Sequence, residues 1–202
     1  MSNIKIKICG LSRPQDIEMI NIHKPDYAGF VFAAGSRRQV TAETAARLSA
    51  QLMPGIIPVG VFVDEEPESI LALVDKGTIA AVQLHGAEDE DYIRRLKSRL
   101  GVPVIKAVGM AKAGDAQKWE NSAADYLLLD NVRGGSGECF DWGMIGELGK
   151  PYFLAGGLNA QNAAEALQKT RAFALDVSGG VETDGVKDAS KIGEFVGKIH
   201  NS

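Results

Sequence analysis

The sequence has very little of what several common protein classes require. It contains only two cysteines, Cys9 and Cys139, among 202 residues, which is too few for a disulfide framework. Its apolar runs are far shorter than the roughly 20 residues that a membrane-spanning helix needs. Its first residues lack the apolar segment of a secretory signal. We therefore expect a cytoplasmic protein without a membrane partner.

Other missing features narrow the function further. The three histidines, His23, His85 and His200, show no metal-ligand spacing. No Gly-x-Gly-x-x-Gly turn follows the first strand candidate, and no Walker phosphate loop is present. A net charge of −4 gives no indication of nucleic acid as a partner. The sequence thus favours a reaction that needs neither cofactor nor metal.

Short apolar runs alternate with helix-like segments along the whole chain. Runs bounded by turn residues are typical of strands buried on both faces. The strand candidates are Ile4–Cys9, Tyr27–Phe32, Ile57–Val63, Ala80–Leu84, Val102–Val108, Tyr126–Asp130, Tyr152–Ala155 and Phe173–Val177. Capping residues and apolar spacing predict helices between them, with Asp115–Asn121 the weakest helical pattern and Asn159 leading a helix through Leu167.

Regular alternation of this kind predicts a parallel sheet with right-handed crossovers. Eight units favour a closed (β/α)₈ TIM barrel over a doubly wound sheet. Such barrels typically take about 250 residues, so the loops must be brief. We assign residues 1–202 to a single α/β barrel domain. Because no long exposed apolar patch is evident, we expect a monomer.

Two glycine turns stand late in the chain, each directly after a strand candidate. Gly156-Gly157 follows Tyr152–Ala155, and Ser178-Gly179-Gly180 follows Phe173–Val177. Glycine has no Cβ, so backbone N–H groups in such turns can approach a ligand closely. In TIM barrels the last βα-loops often bind phosphate. The turns therefore predict a phosphorylated small molecule as the ligand.

Two polar residues at strand ends are candidates for chemistry, because barrel active sites lie where strands end. Cys9 is either a thiolate base or nucleophile, or a small buried hydrophobe. Asp130 is either a carboxyl group whose pKa is raised by desolvation, suited to general-acid work, or a residue that caps a turn.

Further polar residues have weaker signals. Arg38 suits bidentate recognition of a carboxylate, although at least one of Arg37 and Arg38 is expected to be a solvated surface charge. His85 ends the fourth strand candidate, where a lone histidine is more often structural than catalytic. We expect Asp141 to cap a short helix and Asp176 to orient backbone. Cys139 receives no role, and the loop at residues 134–137 either closes over a ligand or connects two elements.

A series of short motifs runs in order from Lys5 to about Asp188. They are Lys7-Ile8-Cys9-Gly10, Gly29–Phe32, Ser36-Arg37-Arg38, Val59–Val63, Gln83-Leu84-His85-Gly86, Leu129-Asp130, Gly134-Gly135-Ser136-Gly137, Phe140-Asp141-Trp142, Ala155-Gly156-Gly157-Leu158 and Asp176–Glu182. Their ordered combination resembles the phosphoribosylanthranilate isomerase family of tryptophan biosynthesis. One position departs from the family pattern, which commonly has serine where this chain has Gly179.

The resemblance implies a cofactor-free barrel that performs an Amadori rearrangement. The substrate would be N-(5-phosphoribosyl)anthranilate and the product 1-(2-carboxyphenylamino)-1-deoxyribulose 5-phosphate. By their positions in the matching motifs, the resemblance implies that Cys9 is the general base and Asp130 the general acid. The implied substrate-binding residues are Arg38, near the anthranilate carboxylate, and His85, together with Gly156, Gly157, Ser178, Gly179 and Gly180.

Three alternatives remain open at this point. A histidine-pathway sugar isomerase would need a carboxylate in place of Cys9. Indole-glycerol-phosphate synthase would need a catalytic lysine and glutamate at strand ends, and only Lys106, inside the fifth strand candidate, fits part of that set. A non-catalytic barrel that binds a sugar phosphate would keep the glycine turns without requiring Cys9 and Asp130.

Overall fold

The computed structural model describes residues 4–132 and 137–200, and its centre is a closed barrel of eight parallel strands in sequence order. The barrel closes because β1 pairs with both β2 and β8. The strands are β1 Lys5–Cys9, β2 Tyr27–Val31, β3 Ile57–Phe62, β4 Ala81–Leu84, β5 Val104–Met110, β6 Tyr126–Asn131, β7 Tyr152–Leu154 and β8 Ala174–Val177. The predicted TIM-barrel fold is therefore confirmed.

Helices follow six of the eight strands in the described residues. They are α1 Pro14–His23, α2 Ala42–Ser49, α3 Pro67–Asp75, α4 Glu90–Lys97, α5 Ala163–Lys169 and α6 Ala189–His200. They follow β1, β2, β3, β4, β7 and β8 respectively. Within the part of the chain that the structure describes, no helix has the length and apolar character needed to span a membrane.

After β5 and β6 the residues that the structure describes form 3₁₀ turns in place of α-helices, at Gln117–Trp119 and Trp142–Ile145. The α-helix predicted over Asp115–Asn121 is therefore wrong. The Asp115 carboxylate accepts the N–H groups of Ala111 and Lys112, which fixes a tight turn before the segment. So short a segment gains too few hydrogen bonds to offset the cost of helix nucleation.

Two other local features differ from expectation. Helix α5 begins only at Ala163, because the Asn159 side chain accepts the N–H groups of Gln161 and Asn162 and forms a turn first. Beyond β8 the chain makes an antiparallel hairpin, β9 Glu182–Thr183 with β10 Val186–Lys187, which the sequence did not predict.

Side chains alternate between the barrel interior and the helix layer, as the two-residue period of a strand requires. The interior cluster is formed by Tyr27, Val59, Ala81, Ile105, Leu128, Phe153, Ala155 and Ala174. Because Leu128 points inward, Asp130 two residues later does so as well. Lys7 contacts Asp176 of β8 inside the barrel. Cys9 is two residues after Lys7 on β1, so its side chain also points inward.

Candidate active site

A cavity of about 350 Å³ opens at the carboxyl ends of β6, β7 and β8. Its lining includes Asp130, Arg38, both glycine turns and Asp176. A larger groove of about 730 Å³ lies between α3 and α4, and its lining contains none of the predicted site residues. The candidate site is thus identified by the convergence of its polar groups and not by cavity size.

Asp130 and His85 lie beside each other at the top of the barrel interior. The Asp130 side chain is 13% exposed, and its Oδ2 lies 3.5 Å from Nε2 of His85. Asp130 Oδ1 accepts the N–H of Asn131 at 2.7 Å. The other ring nitrogen of His85, Nδ1, lies 2.8 Å from Nε2 of Gln83. His85 therefore contacts the predicted acid directly, although it does not line the 350 Å³ cavity.

Cys9 is 8% exposed and lies next to the cavity without forming part of its lining. Burial raises the pKa of its thiol, and the positive charge of Lys7 opposes that effect while the Asp176 carboxylate adds to it. Burial dominates, so the thiol holds its proton at neutral pH. The charged groups around Cys9 distinguish it from a cysteine that merely fills an apolar core.

A buried ion pair lies beneath Cys9. Nζ of Lys7 is 3.0 Å from Oδ1 of Asp176, and neither side chain is more than marginally exposed. Burial lowers the pKa of Lys7, but Asp176 and the Cys9 sulfur outweigh it and raise the pKa, so Lys7 stays charged. Among residues 4–132 and 137–200 the Asp176 carboxylate pairs with Lys7 and accepts no backbone N–H, so it does not orient backbone there as we predicted. Sequence reasoning assigned no role to Lys7, although a lysine inside an inward-facing apolar strand was a signal.

The glycine turns are packed against the catalytic candidates. A Cβ on Gly156, which has φ of +81°, would lie 2.8 Å from Oδ1 of Asp130. A Cβ on Gly180 would overlap the carbonyl oxygen of Leu158. On Gly179 the nearest atom to a Cβ would be Nη2 of Arg38 at 3.7 Å, which is an ordinary contact. The serine that the family commonly has would therefore fit at Gly179.

The turn after β8 also contacts the first strand. Ser178 Oγ donates a hydrogen bond to the carbonyl oxygen of Cys9 at 3.0 Å. The predicted phosphate turns thus lie beside both Asp130 and Cys9, which are on β6 and β1.

Arg38 and Arg37 differ in exposure. Both side chains line the cavity, but the Arg38 side chain is 17% exposed and the Arg37 side chain is 60% exposed. Both guanidinium groups contact Glu182 of β9. Burial raises the pKa of Glu182, but Arg38 and Lys187 outweigh burial and lower it to about 2. Glu182 lies in the motif Asp176–Glu182, which indicates no role for it, and no sequence pattern indicates a role for Lys187.

The segment around residues 134–142 contains the remaining predicted residues. Asp141 caps the turn at Trp142–Ile145 by accepting the N–H of Gly143 at 2.9 Å, as predicted. Cys139 is exposed. Gly137 lines the cavity, whereas residues 134–136 of the predicted loop lie outside the described residues. Across residues 4–132 and 137–200, no three His, Cys, Asp or Glu side chains form a group that could hold a metal ion.

Lys106 lies away from the barrel mouth. Its Nζ is 2.8 Å from Oε2 of Glu88 and 2.7 Å from the carbonyl oxygen of Gly86, and it lies over the ring of Trp119. Its neighbour Ile105 belongs to the interior cluster, so Lys106 points to the helix layer. Lys106 therefore cannot supply the catalytic lysine of an indole-glycerol-phosphate synthase.

Comparisons with known proteins agree with this geometry. The family model described as N-(5'-phosphoribosyl)anthranilate (PRA) isomerase matches residues 6–198. The N-(5'-phosphoribosyl)anthranilate isomerase of Endomicrobium trichonymphae is 49% identical, over 95% of this chain and 96% of the relative. That of Lactiplantibacillus plantarum is 45% identical, over 98% and 93% respectively.

Solved structures give the same result. Phosphoribosyl anthranilate isomerase from Thermus thermophilus superposes with a TM-score of 0.90 at 34% identity, covering 98% of this chain and 99% of that one. A phosphoribosyl anthranilate isomerase in complex with reduced 1-(o-carboxyphenylamino)-1-deoxyribulose 5-phosphate has a TM-score of 0.87 at 36% identity, covering 98% and 100%. The chain therefore belongs to the N-(5'-phosphoribosyl)anthranilate isomerase family.

Proposed function

We propose that Asp130 is the general acid and Cys9 the general base with which this chain performs the reaction of its family. That reaction is the isomerisation of N-(5'-phosphoribosyl)anthranilate to 1-(2-carboxyphenylamino)-1-deoxyribulose 5-phosphate in tryptophan biosynthesis. The main support for this assignment is that the side chains of Asp130 and Cys9 both point into the barrel at its top, with both glycine turns beside them.

In the first step, protonated Asp130 donates its proton to the ring oxygen of the ribose. The C1–O bond breaks, its electron pair stays on that oxygen as a hydroxyl group, and the nitrogen lone pair forms an iminium ion at C1. General-acid catalysis of this kind contributes about 100- to 10,000-fold in rate. The contact of Asp130 with Nε2 of His85 and with the N–H of Asn131 holds the carboxyl group in place for this transfer.

In the second step, the thiolate of Cys9 removes the proton from C2, which the neighbouring iminium ion has made acidic. The resulting enolamine tautomerises to the ketone. Acid and base must act from different sides of the sugar, and β1 and β6 are separated by β7 and β8 around the closed barrel. Because burial raises the pKa of Cys9, the positive charge of Lys7 is what favours the thiolate.

Binding of the two anionic groups positions the substrate between these residues. The turns at Gly156-Gly157 and Ser178–Gly180 offer main-chain N–H groups to the phosphate. Arg38 lines the same cavity and would bind the anthranilate carboxylate. Fixing both ends of the substrate places its reacting carbons at the acid and the base.

Steady-state kinetics of Asp130→Asn and Cys9→Ala test the assignment, using a spectroscopic assay with freshly generated phosphoribosylanthranilate. Each variant should lose at least about 100-fold in kcat and keep KM within a few-fold. Cys139→Ala, which removes the exposed cysteine, is the matched control and should behave as wild type. A variant with nearly normal kcat would remove that residue from the mechanism, and no isomerase activity in the wild type would favour a sugar-phosphate-binding barrel.

Two expectations from the sequence stay predictions. One is a monomeric state, which light scattering coupled to gel filtration would test over a range of concentrations. The other is a cytoplasmic location. The histidine-pathway aminoaldose analogue should be included in the activity assay as a second substrate, since both reactions open an aminoribose ring.

A further inference from the structure

The Glu182 carboxylate is surrounded by three cationic side chains and has no part in the mechanism above. Its Oε1 accepts hydrogen bonds from Nε of Arg38 at 2.6 Å and Nζ of Lys187 at 2.7 Å. Its Oε2 accepts from Nη2 of Arg38 at 2.8 Å and Nη2 of Arg37 at 2.7 Å. The Glu182 side chain is only 5% exposed, so Glu182 is a buried charge and not a surface charge.

These contacts fix the orientation of Arg38. A carboxylate that accepts from both Nε and Nη2 holds the plane of the guanidinium group, which a single contact would not. On its other side Arg38 packs against Gly10, where an added Cβ would overlap Cδ of Arg38. Among residues 4–132 and 137–200, the Nη1 amino group of Arg38 has no hydrogen-bond partner, so it is available to a ligand.

Lys187 connects the same carboxylate to the turn after β8. Its Nζ lies 3.0 Å from the carbonyl oxygen of Ser178 and is almost completely buried. Glu182 therefore joins Arg38 to the predicted phosphate turn through Lys187. Three cations around one carboxylate leave a net positive charge at this side of the cavity, which attracts an anion.

We propose that Glu182 is a positioning residue that gives the site its preference for an aryl carboxylate, by holding Arg38 at a fixed place relative to the turn at Ser178–Gly180. This inference rests on the proposed function, in which Arg38 binds that carboxylate. Glu182 itself does not contact the substrate. Losing its charge leaves Arg38 present but free to move, so the effect is confined to ligands that carry the carboxylate.

The test compares two ligands by calorimetry. One is reduced 1-(o-carboxyphenylamino)-1-deoxyribulose 5-phosphate, and the other is the same compound without the carboxylate. Glu182→Gln should bind the first about tenfold more weakly than wild type, because Arg38 and Glu182 are coupled. It should bind the second within about twofold. Equal losses for both ligands, or no loss for either, would overturn the proposal.

Three further variants make the result specific. Asp184→Asn, in the turn of the same hairpin, is the matched control and should change neither affinity. Arg38→Ala should abolish the preference for the carboxylated ligand, and adding Glu182→Gln to it should have no further effect. If Arg38→Ala retains the preference, the proposed role of Arg38 is wrong; if Arg38→Ala loses it and Glu182→Gln does not, only the present inference is wrong.

Folding of the variant is checked by thermal denaturation, since Glu182→Gln leaves Lys187 buried without its anion. If the single variant does not fold, Glu182→Gln combined with Lys187→Met removes both buried charges and replaces it in the same titrations. Because Lys187→Met also removes the hydrogen bond to the Ser178 carbonyl oxygen, the reference for this double variant is Lys187→Met alone. Relative to that reference, adding Glu182→Gln should weaken only the carboxylated ligand, and equal weakening of both ligands would contradict the proposal.

Discussion

Nε2 of His85, which directly follows β4, lies 3.5 Å from Oδ2 of Asp130 on β6, although β5 lies between these two strands. The contact is possible because both side chains point into the barrel at the same height. The contact between Nδ1 of His85 and Nε2 of Gln83 at 2.8 Å holds the ring so that its Nε2 faces Asp130. His85 thus orients the carboxyl group that we assign as the acid.

Replacing this histidine should affect turnover more than binding. We expect His85→Phe to lower kcat about tenfold, less than Asp130→Asn, with a smaller change in KM. Steady-state kinetics at saturating substrate would measure it, with His200→Phe near the chain end as the control. A kcat equal to that of wild type would show that the contact has no catalytic consequence.

The ionisation of Cys9 should depend on pH and on Lys7. Because burial raises the pKa of the thiol, Cys9 is mostly protonated at neutral pH, and its rate of alkylation should rise as the pH becomes more alkaline. Lys7 lowers that pKa, so Lys7→Met should move the rising limb to higher pH. The limb can be checked by iodoacetamide alkylation of Cys9 in a Cys139→Ser background. An unshifted limb in Lys7→Met would show that Lys7 does not stabilise the thiolate.

Two adjacent glycines should respond differently to substitution. At Gly180 an added Cβ would overlap the carbonyl oxygen of Leu158, whereas at Gly179 it would make only an ordinary contact with Arg38. Gly180→Ala should therefore raise KM strongly and lower Tm by several degrees, at a cost of about 1–3 kcal/mol. Gly179→Ala and Gly179→Ser should leave Tm nearly unchanged. A Tm loss at Gly179 equal to that at Gly180 would contradict this difference in packing between the two positions.

Glu182 should contribute to stability in a defined pH range. Its pKa in the folded chain is lowered from an ordinary 4.5 to about 2. The folded form then binds the proton less readily than the unfolded form, so the contribution is complete above pH 4.5 and is lost as the pH falls towards 2. Urea denaturation at successive pH values should show a steeper loss in wild type than in Glu182→Gln. Parallel curves would show that this carboxylate is not stabilised by its neighbours.

The strand positions were predictable from the sequence because each strand is buried on both faces and therefore reads as an apolar run. Cys9 and Asp130 could be recognised as site candidates because they end two of those runs, and barrel active sites lie where strands end. The 3₁₀ turn at Gln117–Trp119 could not, since the Asp115 hydrogen bonds that decide it depend on side-chain geometry within the loop.

The charged network beneath and beside the site was also beyond sequence reasoning. Lys7 and Asp176 are 169 positions apart along the chain and meet only because β1 pairs with β8. Glu182 reaches Arg38 only because β1 lies between β8, which precedes Glu182 in the chain, and β2, which precedes Arg38. Both contacts depend on closure of the barrel, which no local pattern of residues encodes.

The hairpin β9–β10 lies outside the eight barrel strands, yet its first residue, Glu182, holds Arg38, which we propose binds the carboxylate of the substrate. In this proposal, recognition of the aromatic amine and proton transfer depend on different parts of the chain. Redesign of the hairpin around Glu182 should therefore change which aromatic amine is accepted while Asp130 and Cys9 keep their positions on the barrel strands.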